Sequence, residues 1–113
     1  MLCTNDDRHR GNNAVTFKDV YTNTTPQSSP VLNFDYFQDP TQDPTVPINV
    51  NAARTNAFVT VNTMHDISYL YGFTESTFNF QSDNNGAGGV GGDRAQVFVQ
   101  NAGTFNNGQS ALG

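Results

Sequence analysis

The segment 49–71 constrains the fold of this chain more than any other stretch. Apolar side chains recur there in steps of three and four residues: Val50, Ala53, Ala57, Val61, Met64 and Tyr71, with Ser68 in the one polar gap. That spacing predicts an amphipathic helix, capped by Asn49 or Asn51 and stopped by Gly72. About 22 residues at 1.5 Å each predict a helix of roughly 33 Å. Further apolar residues widen the stripe, so this helix needs cover on more than one side.

Shorter segments with the period of a strand lie on both sides of this helix. Residues 13–20 predict a short strand, and residues 31–37 alternate between apolar and polar side chains. Residues 95–100 predict a third strand on the same ground. Between them, residues 38–47 contain three prolines and twice the sequence QDPT, which favours an extended linker.

Composition excludes several classes of partner. The chain has 113 residues, the length of one domain or part of one, and a net charge of −5 with only five basic residues. Without a basic cluster we expect no binding to nucleic acid or to an anionic membrane surface. No apolar run approaches the roughly 18 residues of a membrane span, and the N-terminus lacks the apolar core of a signal peptide. The single cysteine, Cys3, cannot form an internal disulfide, and no second cysteine supports a redox or metal thiol.

Two short motifs carry weak predictions. The spacing Gly86-x-Gly88-x-x-Gly91 matches a dinucleotide-binding fingerprint, but it leads into a predicted strand, whereas the fingerprint must open a helix. We therefore expect a flexible surface loop over residues 83–92. Asn23 begins the sequence Asn-Thr-Thr, a possible N-glycosylation site if the protein enters the secretory pathway.

His65 and Asp66 are the most conspicuous pair of chemical groups. The only other histidine is His9, and no H-E-x-x-H motif is present. Adjacent side chains on a helix point about 100° apart, so His65 and Asp66 are not expected to face one metal ion together. The sequence favours a buried, hydrogen-bonded His65, with Asp66 paired to a backbone amide or to Arg94.

Five longer motifs resemble one known family. They are "RGNNAV" (10–15), "LNFDY" (32–36), "AARTNAFVTVNTMHDISYLYGFTESTFNFQ" (52–81), "NN…GG…GDR" (84–94) and "VFVQNAGT" (97–104). Together they resemble the opening part of the catalytic domain of fungalysins, which are secreted fungal zinc metalloendopeptidases. The resemblance covers roughly residues 10–107.

The resemblance implies an α+β fold, a partial thermolysin-like N-terminal subdomain with a small mixed sheet and one long helix. Residues 1–12 would be a polar, poorly ordered segment, and residues 13–113 part of the catalytic domain. The helix would precede the active-site edge strand, and strand 95–100 would lead to it. Four residues would form a structural signature of the family: His65, Asp66, Tyr69 and Gly72.

The resemblance also implies where the chemistry lies. The family's zinc is held by two histidines of H-E-x-x-H and a further Glu, so this chain is expected to bind no zinc and to be inactive alone. In the family an Asn-Asn-Ala segment runs along the polypeptide substrate, and its nearest match is Asn106 and Asn107, followed by Gly108. The resemblance implies an extracellular protein whose signal and propeptide lie upstream of this chain.

Two functions from different classes remain open. The chain is either a fragment of a secreted metalloendopeptidase or a stand-alone, non-catalytic binding protein derived from half of the protease fold. An H-E-x-x-H encoded after the Gly113 codon would favour the first. In the family, the segment that follows, with the zinc helix, would cover the long helix and the sheet. Without it we expect Phe58, Val61 and Met64 to be partly exposed and the sheet edge near 95–100 to be unpaired, which predicts marginal stability and self-association.

Overall fold

The computed structural model describes residues 10–18 and 34–100. In chain order they form strand β1 (Ala14–Lys18), helix α1 (Pro47–Leu70), a 3-10 turn (Glu75–Thr77) and strand β2 (Ala95–Val99). One long helix and a small two-stranded sheet confirm the predicted α+β class. Much of the predicted segment 1–12 lies outside the described residues.

The two strands run parallel and side by side. Ala14 lies opposite Ala95, and the pairing continues in register to Lys18 and Val99. Parallel strands need a long crossover connection, which α1 provides by packing against both of them. Both strands lie within their predicted ranges, 13–20 and 95–100. One isolated antiparallel bridge joins Arg10 to Val15.

The proline-rich segment before α1 folds into two turns, so the prediction of an extended linker over residues 38–47 is wrong. Asp39 Oδ1 accepts hydrogen bonds from the N–H and Oγ1 of Thr41 at 2.9 and 2.6 Å. Asp43 does the same with Thr45 at 2.8 and 2.6 Å. Each QDPT copy therefore forms the same local turn, because proline presets φ and aspartate accepts from the backbone two residues on.

The helix begins two residues earlier than predicted, and neither predicted cap is used. Val46 is the N-cap residue, and Pro47 follows at the first helical position, where its missing N–H costs nothing. Asn49 is buried and holds the two preceding turns instead. Its Nδ2 donates to the carbonyl oxygens of Asp39 and Asp43 at 2.9 and 3.1 Å, and its Oδ1 accepts from Asp39 N at 2.8 Å.

The helix ends as predicted at Gly72. Gly72 N donates to Tyr69 O at 3.1 Å, and Phe73 N donates to Ser68 O at 3.0 Å. This hydrogen-bond pair defines a Schellman motif, which needs a residue with positive φ at the glycine position. Gly72 has φ of 96°, a conformation that glycine adopts without strain.

The predicted strand 31–37 does not form in its described part. Residues 34–37 lie outside the sheet, although Phe34 and Tyr36 are half-buried and alternate with exposed neighbours. The alternation therefore reflects burial without strand pairing. Residues 31–33 lie outside the described residues.

The buried face of α1 differs from the predicted stripe. It follows four-residue steps through Val50, Arg54, Phe58 and Asn62, while Met64 is 62% and Tyr71 88% exposed. Phe58 was expected to be partly exposed but is only 3% exposed, so that expectation is wrong. The expectation is confirmed for Met64 and for Val61, which is half-buried. Choosing apolar residues alone missed this face, because two of its four members are polar.

The buried hydrophobic side chains come from β1 and α1. Among the described residues they are Ala14, Val15, Phe17, Val50 and Phe58. Phe17 also stacks on Phe98 of β2 with ring centroids 5.3 Å apart. The core therefore lies between α1 and the two strands.

Candidate functional site

Three segments that carry the family motifs meet at the start of β1. Asn12 exchanges two hydrogen bonds with Asp83: Asn12 Nδ2 donates to Asp83 O at 2.9 Å, and Asp83 N donates to Asn12 Oδ1 at 2.7 Å. Ser82 N also donates to Asn12 O at 2.9 Å. The "RGNN" and "NFQ…DNN" motifs are thus bound to each other across about seventy residues of chain.

The "GDR" motif joins the same cluster. Ala95 N donates to Asn13 O at 2.9 Å, which starts the parallel pairing of β1 and β2. Asp93 Oδ1 accepts from Gln81 N at 3.0 Å, and Arg94 Nη1 donates to Gly11 O at 3.3 Å. Polar and charged residues of these motifs therefore cross-link the loops.

A second set of buried polar groups connects α1 to β1. Asn13 Nδ2 donates to Asn62 Oδ1 at 3.2 Å, and Asn62 Nδ2 donates to Phe58 O at 2.8 Å. About two turns before Asn62, Arg54 is fully buried and its Nη2 donates to Thr16 O at 3.3 Å. These contacts fix how α1 is rotated on the sheet, because a buried polar group must keep its partner.

Burial shifts the pKa values of two groups beside this contact. It lowers the pKa of the Arg54 guanidinium, although the nearby Tyr36 hydroxyl acts in the opposite direction. It also raises the pKa of Tyr36, against the effect of the Arg54 charge. An arginine keeps its charge despite such a shift, so α1 carries a buried positive charge toward β1.

His65 and Asp66 contact each other, contrary to the expectation that their side chains diverge. His65 Nδ1 lies 3.4 Å from Asp66 Oδ1, and only 9% of the His65 side chain is exposed. Asp66 therefore does not pair with Arg94, whose guanidinium binds Gly11 O. His65 Nε2 is buried and has no hydrogen-bond partner among the described residues.

The contact series continues to the end of α1. The rings of His65 and Tyr69 lie 6.3 Å apart, and the Tyr69 hydroxyl donates to Glu75 Oε2 at 3.1 Å. That hydrogen bond raises the pKa of Tyr69. The residues predicted as a structural signature thus form one chain of contacts that ties α1 to the 3-10 turn through Gly72.

The predicted substrate-binding and modification residues belong to parts of the chain that the structure does not describe. Asn106 and Asn107 lie outside the described residues, as do Asn23 and Cys3. The glycine-rich segment is on the surface as expected and leads into β2, so the dinucleotide motif lacks the helix that its mechanism requires.

The described residues do not fit a zinc site. A protein zinc ion takes three or four ligands, and within residues 10–18 and 34–100 no group of three or more His, Cys, Asp or Glu side chains is placed to hold one. His65 and Asp66 supply only two groups. In this part of the chain, no helix has the length and apolar character needed to cross a membrane.

The opposite side of α1 carries the largest exposed apolar residues of the helix. This apolar face consists of Val59, Met64, Ile67, Leu70 and Tyr71. It occupies the last three to four turns of α1 and points away from β1 and β2, since the buried row lies on the other side. Sequence analysis predicted exposed apolar surface on this helix but placed Phe58 in it.

Sequence analysis did not identify Arg54, Asn62 and Asn13 as residues that make buried polar contacts. All three stand inside the quoted motifs. Arg54 lies four residues after Val50 and Asn62 lies four residues after Phe58, in one helical row. That spacing could have identified them as members of the buried face.

Comparisons with known proteins match nearly the whole chain. The family model of the fungalysin metallopeptidases (M36) matches residues 3–112. Probable extracellular metalloproteinase 4 of Trichophyton verrucosum is 38% identical over 103 residues, which is 87% of this chain and 16% of the relative. Extracellular metalloproteinase 5 of Trichophyton rubrum is 35% identical over 109 residues, 92% of this chain and 17% of the relative. Extracellular metalloproteinase mep of Aspergillus terreus is 38% identical over 104 residues, 87% of this chain and 16% of the relative.

Proposed function

We propose, from the premise that this chain belongs to the fungalysin metallopeptidase (M36) family, that it forms the helix-and-sheet scaffold of a secreted zinc metalloendopeptidase domain. The observation that carries the proposal is the family match over residues 3–112. The chain spans only 16% of the length of relatives such as the T. verrucosum protein. That it is part of a complete enzyme, with that enzyme's activity, is therefore itself proposed. A polypeptide substrate and an extracellular location follow from what those relatives are named.

In this proposal the chain positions other parts of the enzyme and does not hold the metal. When bound, zinc would supply Lewis-acid chemistry and an activated water. The 113 residues contain two histidines and no H-E-x-x-H motif, so the zinc ligands would come from a different part of a longer protein. Asn106 and Asn107 are proposed to lie along the substrate backbone. The chain alone is therefore expected to be inactive.

A chimera tests the proposal. The matching region of the T. rubrum metalloproteinase is replaced by this chain, and casein cleavage is measured with and without a chelator. We expect chelator-sensitive cleavage by the chimera and none by the 113-residue chain supplied with zinc. Two further chimeras are compared. Asn62→Ala breaks a buried contact, and Asn56→Ala is its matched control at an exposed position of the same helix.

Two results would count against it. A secreted, folded chimera without activity would show that this chain cannot serve as the scaffold. Chelator-sensitive cleavage by the isolated chain would show that it holds a complete metal site.

The signature residues His65, Asp66, Tyr69 and Gly72 are proposed to be structural. The His65 side chain is almost fully enclosed, so His65→Ala should leave a void and lower the free energy of unfolding by about 1–3 kcal/mol. Asn56→Ala is the control: Asn56 is exposed on the same helix, so a loss below about 0.5 kcal/mol is expected. Denaturant unfolding at low protein concentration measures both. Equal, negligible losses would refute a structural role for His65.

One observation favours the second candidate, a non-catalytic binding protein. The apolar face of α1 is exposed over several side chains, as expected of an interaction surface. The coding sequence after the Gly113 codon separates the candidates. An H-E-x-x-H there supports the protease fragment, and a stop codon in an intact transcript supports the binding protein.

A further inference from the structure

We propose that Asn85 is a site of spontaneous deamidation and that the glycine-rich loop (residues 83–92) controls how fast it reacts. Asn85 and the residue after it, Gly86, are both exposed. Asparagine is a thermolabile residue, and its side-chain amide is attacked by the backbone nitrogen of the next residue. Glycine hinders that attack least because it has no side chain. The inference does not depend on the proposed enzymatic function.

The reaction needs only water and a trace of hydroxide. The Gly86 nitrogen gives up its proton and attacks Asn85 Cγ. A bond forms between these two atoms, the Cγ–Nδ2 bond breaks, and Nδ2 leaves as ammonia. Water then adds to one of the two carbonyl carbons of the resulting succinimide. Opening at one carbonyl gives aspartate, and opening at the other gives isoaspartate, in which the main chain runs through Cβ.

In the folded loop, a tight turn holds the two reacting atoms apart. Ala87 N donates to Asn84 O at 2.9 Å, and the φ angles of Asn85 and Gly86 are 50° and 78°. These features are those of a type I′ turn, in which ψ of the first central residue is about +30°. At that ψ the Gly86 nitrogen lies nearly opposite Cβ about the Cα–C bond of Asn85, whereas ring closure needs both atoms on the same side. The turn must therefore open before Asn85 reacts.

Exposed hydrogen bonds hold this turn closed. Asn84 Nδ2 donates to Gly88 O at 2.7 Å across the turn, and Asn85 N donates to Asp83 Oδ1 at 2.8 Å. Within the described residues the Gly86 N–H donates no hydrogen bond. Local opening of an exposed segment needs less free energy than unfolding of a helix and sheet. The reacting nitrogen is thus released by breaking exposed contacts of the loop alone.

The product does not rebuild the same turn. Isoaspartate adds one atom to the main chain at a position where the turn fixes two successive φ angles. Either product also carries a carboxylate beside Asp83, whose carbonyl accepts from the neutral Asn85 Nδ2 at 3.4 Å before the reaction. Two neighbouring negative charges repel each other. Deamidation therefore favours the open loop.

Peptide mapping by mass spectrometry measures the reaction in the full chain at neutral pH. We expect Asn85 to gain the mass difference between NH2 and OH in the native chain, at least about fivefold more slowly than in the urea-denatured chain. A methyltransferase specific for isoaspartate should label the product at this position. Asn107–Gly108, the second Asn-Gly pair of the sequence, is the internal standard in the denatured sample.

Asn84→Ala tests control by the loop, because it removes the hydrogen bond to Gly88 O. Native deamidation of Asn85 and hydrogen exchange of the Ala87 amide should both rise about fivefold, the effect of one hydrogen bond. Hydrogen exchange of the Phe58 amide, inside α1, reports global unfolding and should not change.

Val90→Ala is the matched control at another exposed position of the same loop, and it should leave the native deamidation rate unchanged. Three results would overturn the proposal. One is an Asn85 that stays intact in the native chain while the denatured chain converts. Another is an equal rate in the two states. The third is an Asn84→Ala variant that reacts no faster, or that reacts faster only in step with exchange of the Phe58 amide, which would assign the reaction to global unfolding.

Discussion

At the scale of single residues, polar side chains determine how α1 sits on the sheet. Asn62 and Arg54 take positions in the buried row that an apolar residue would ordinarily fill. Asn13 and Thr16 of the β1 region supply their partners. A rotation that kept these groups buried but moved them away from β1 would leave them without hydrogen bonds, at a cost of about 1–3 kcal/mol for each group.

Asn62→Ala should therefore destabilise the chain. The change leaves the buried Asn13 Nδ2 without its acceptor at Asn62, and we expect the free energy of unfolding to fall by about 1–3 kcal/mol. Asn56→Ala removes the same side chain from the exposed side of α1 and should change stability by less than about 0.5 kcal/mol. Urea unfolding of both variants measures the difference. Similar losses at the two positions would contradict this role of Asn62.

At the scale of elements, the start of α1 depends on the two QDPT turns. Hydrogen bonds from the Thr41 and Thr45 side chains, followed by those from their backbone N–H groups, lower the pKa values of Asp39 and Asp43. Because the folded pKa is below the unfolded one, each carboxylate stabilises the fold above the ordinary carboxyl pKa of about 4. That stabilisation is lost as the pH falls through the lowered pKa.

Replacing both carboxylates should flatten the pH dependence. Asp39→Asn/Asp43→Asn keeps an acceptor oxygen in each turn but removes its titration. Between about pH 5 and pH 3 the unmodified chain should lose more stability than the variant. Urea midpoints measured across this range decide the question. Parallel curves for the two proteins would show that these turns do not contribute to the acid sensitivity.

The glycine-rich loop is also an element with a packing role. Gly89 has φ of 70°, and a Cβ added there would overlap the Glu75 carbonyl of the 3-10 turn. Gly86 has a similar φ of 78°, but a Cβ there would meet nothing within 4 Å. The glycine-rich loop therefore packs closely on the Glu75 carbonyl at Gly89 and has open space around Gly86.

A pair of alanine variants separates the strain of a positive φ from the close packing on the 3-10 turn. Gly86→Ala should cost about 1–2 kcal/mol, the strain of a left-handed residue alone. Gly89→Ala should cost clearly more, since the Glu75 backbone must also move. Thermal unfolding of the two variants provides the comparison. Equal costs would mean that the loop does not pack on the 3-10 turn.

At the scale of the whole molecule, the described part of the chain has a small core. Five buried apolar side chains stand beside six buried polar or charged ones, and the apolar face of α1 remains outside. Small cores leave little net stability once conformational entropy is counted. The polar contacts make the arrangement specific more than they make it stable.

We therefore expect the isolated chain to be marginally stable and to self-associate. Calorimetry at low concentration should show a transition below about 55 °C or a broad one, and the transition should rise with protein concentration as chains associate. A sharp, concentration-independent transition above that temperature would identify a self-sufficient domain. Such a result would favour the stand-alone binding protein.

The sequence by itself determined those features that depend on neighbouring residues. The helix and its glycine stop and strands β1 and β2 follow from local periodicity and from the special conformation of glycine, whereas the α+β class was implied by the family resemblance. The family followed from long motifs. The two QDPT turns are also determined by neighbouring residues. The sequence analysis considered their prolines and not their aspartate and threonine side chains, and it therefore predicted an extended linker.

Only the tertiary structure decided which side of α1 is buried and which motif residues touch. Helical spacing alone left the facing row open, and the partners of Arg54 and Asn62 come from β1 and its N-terminal flank, about forty to fifty residues away. Residues 34–37 have the alternation of a strand but lie outside the sheet, since a strand needs a partner that its own sequence does not specify. A buried polar side chain needs a hydrogen-bond partner, and where that partner lies on a distant segment, as for Arg54 and Asn62, no local pattern records it.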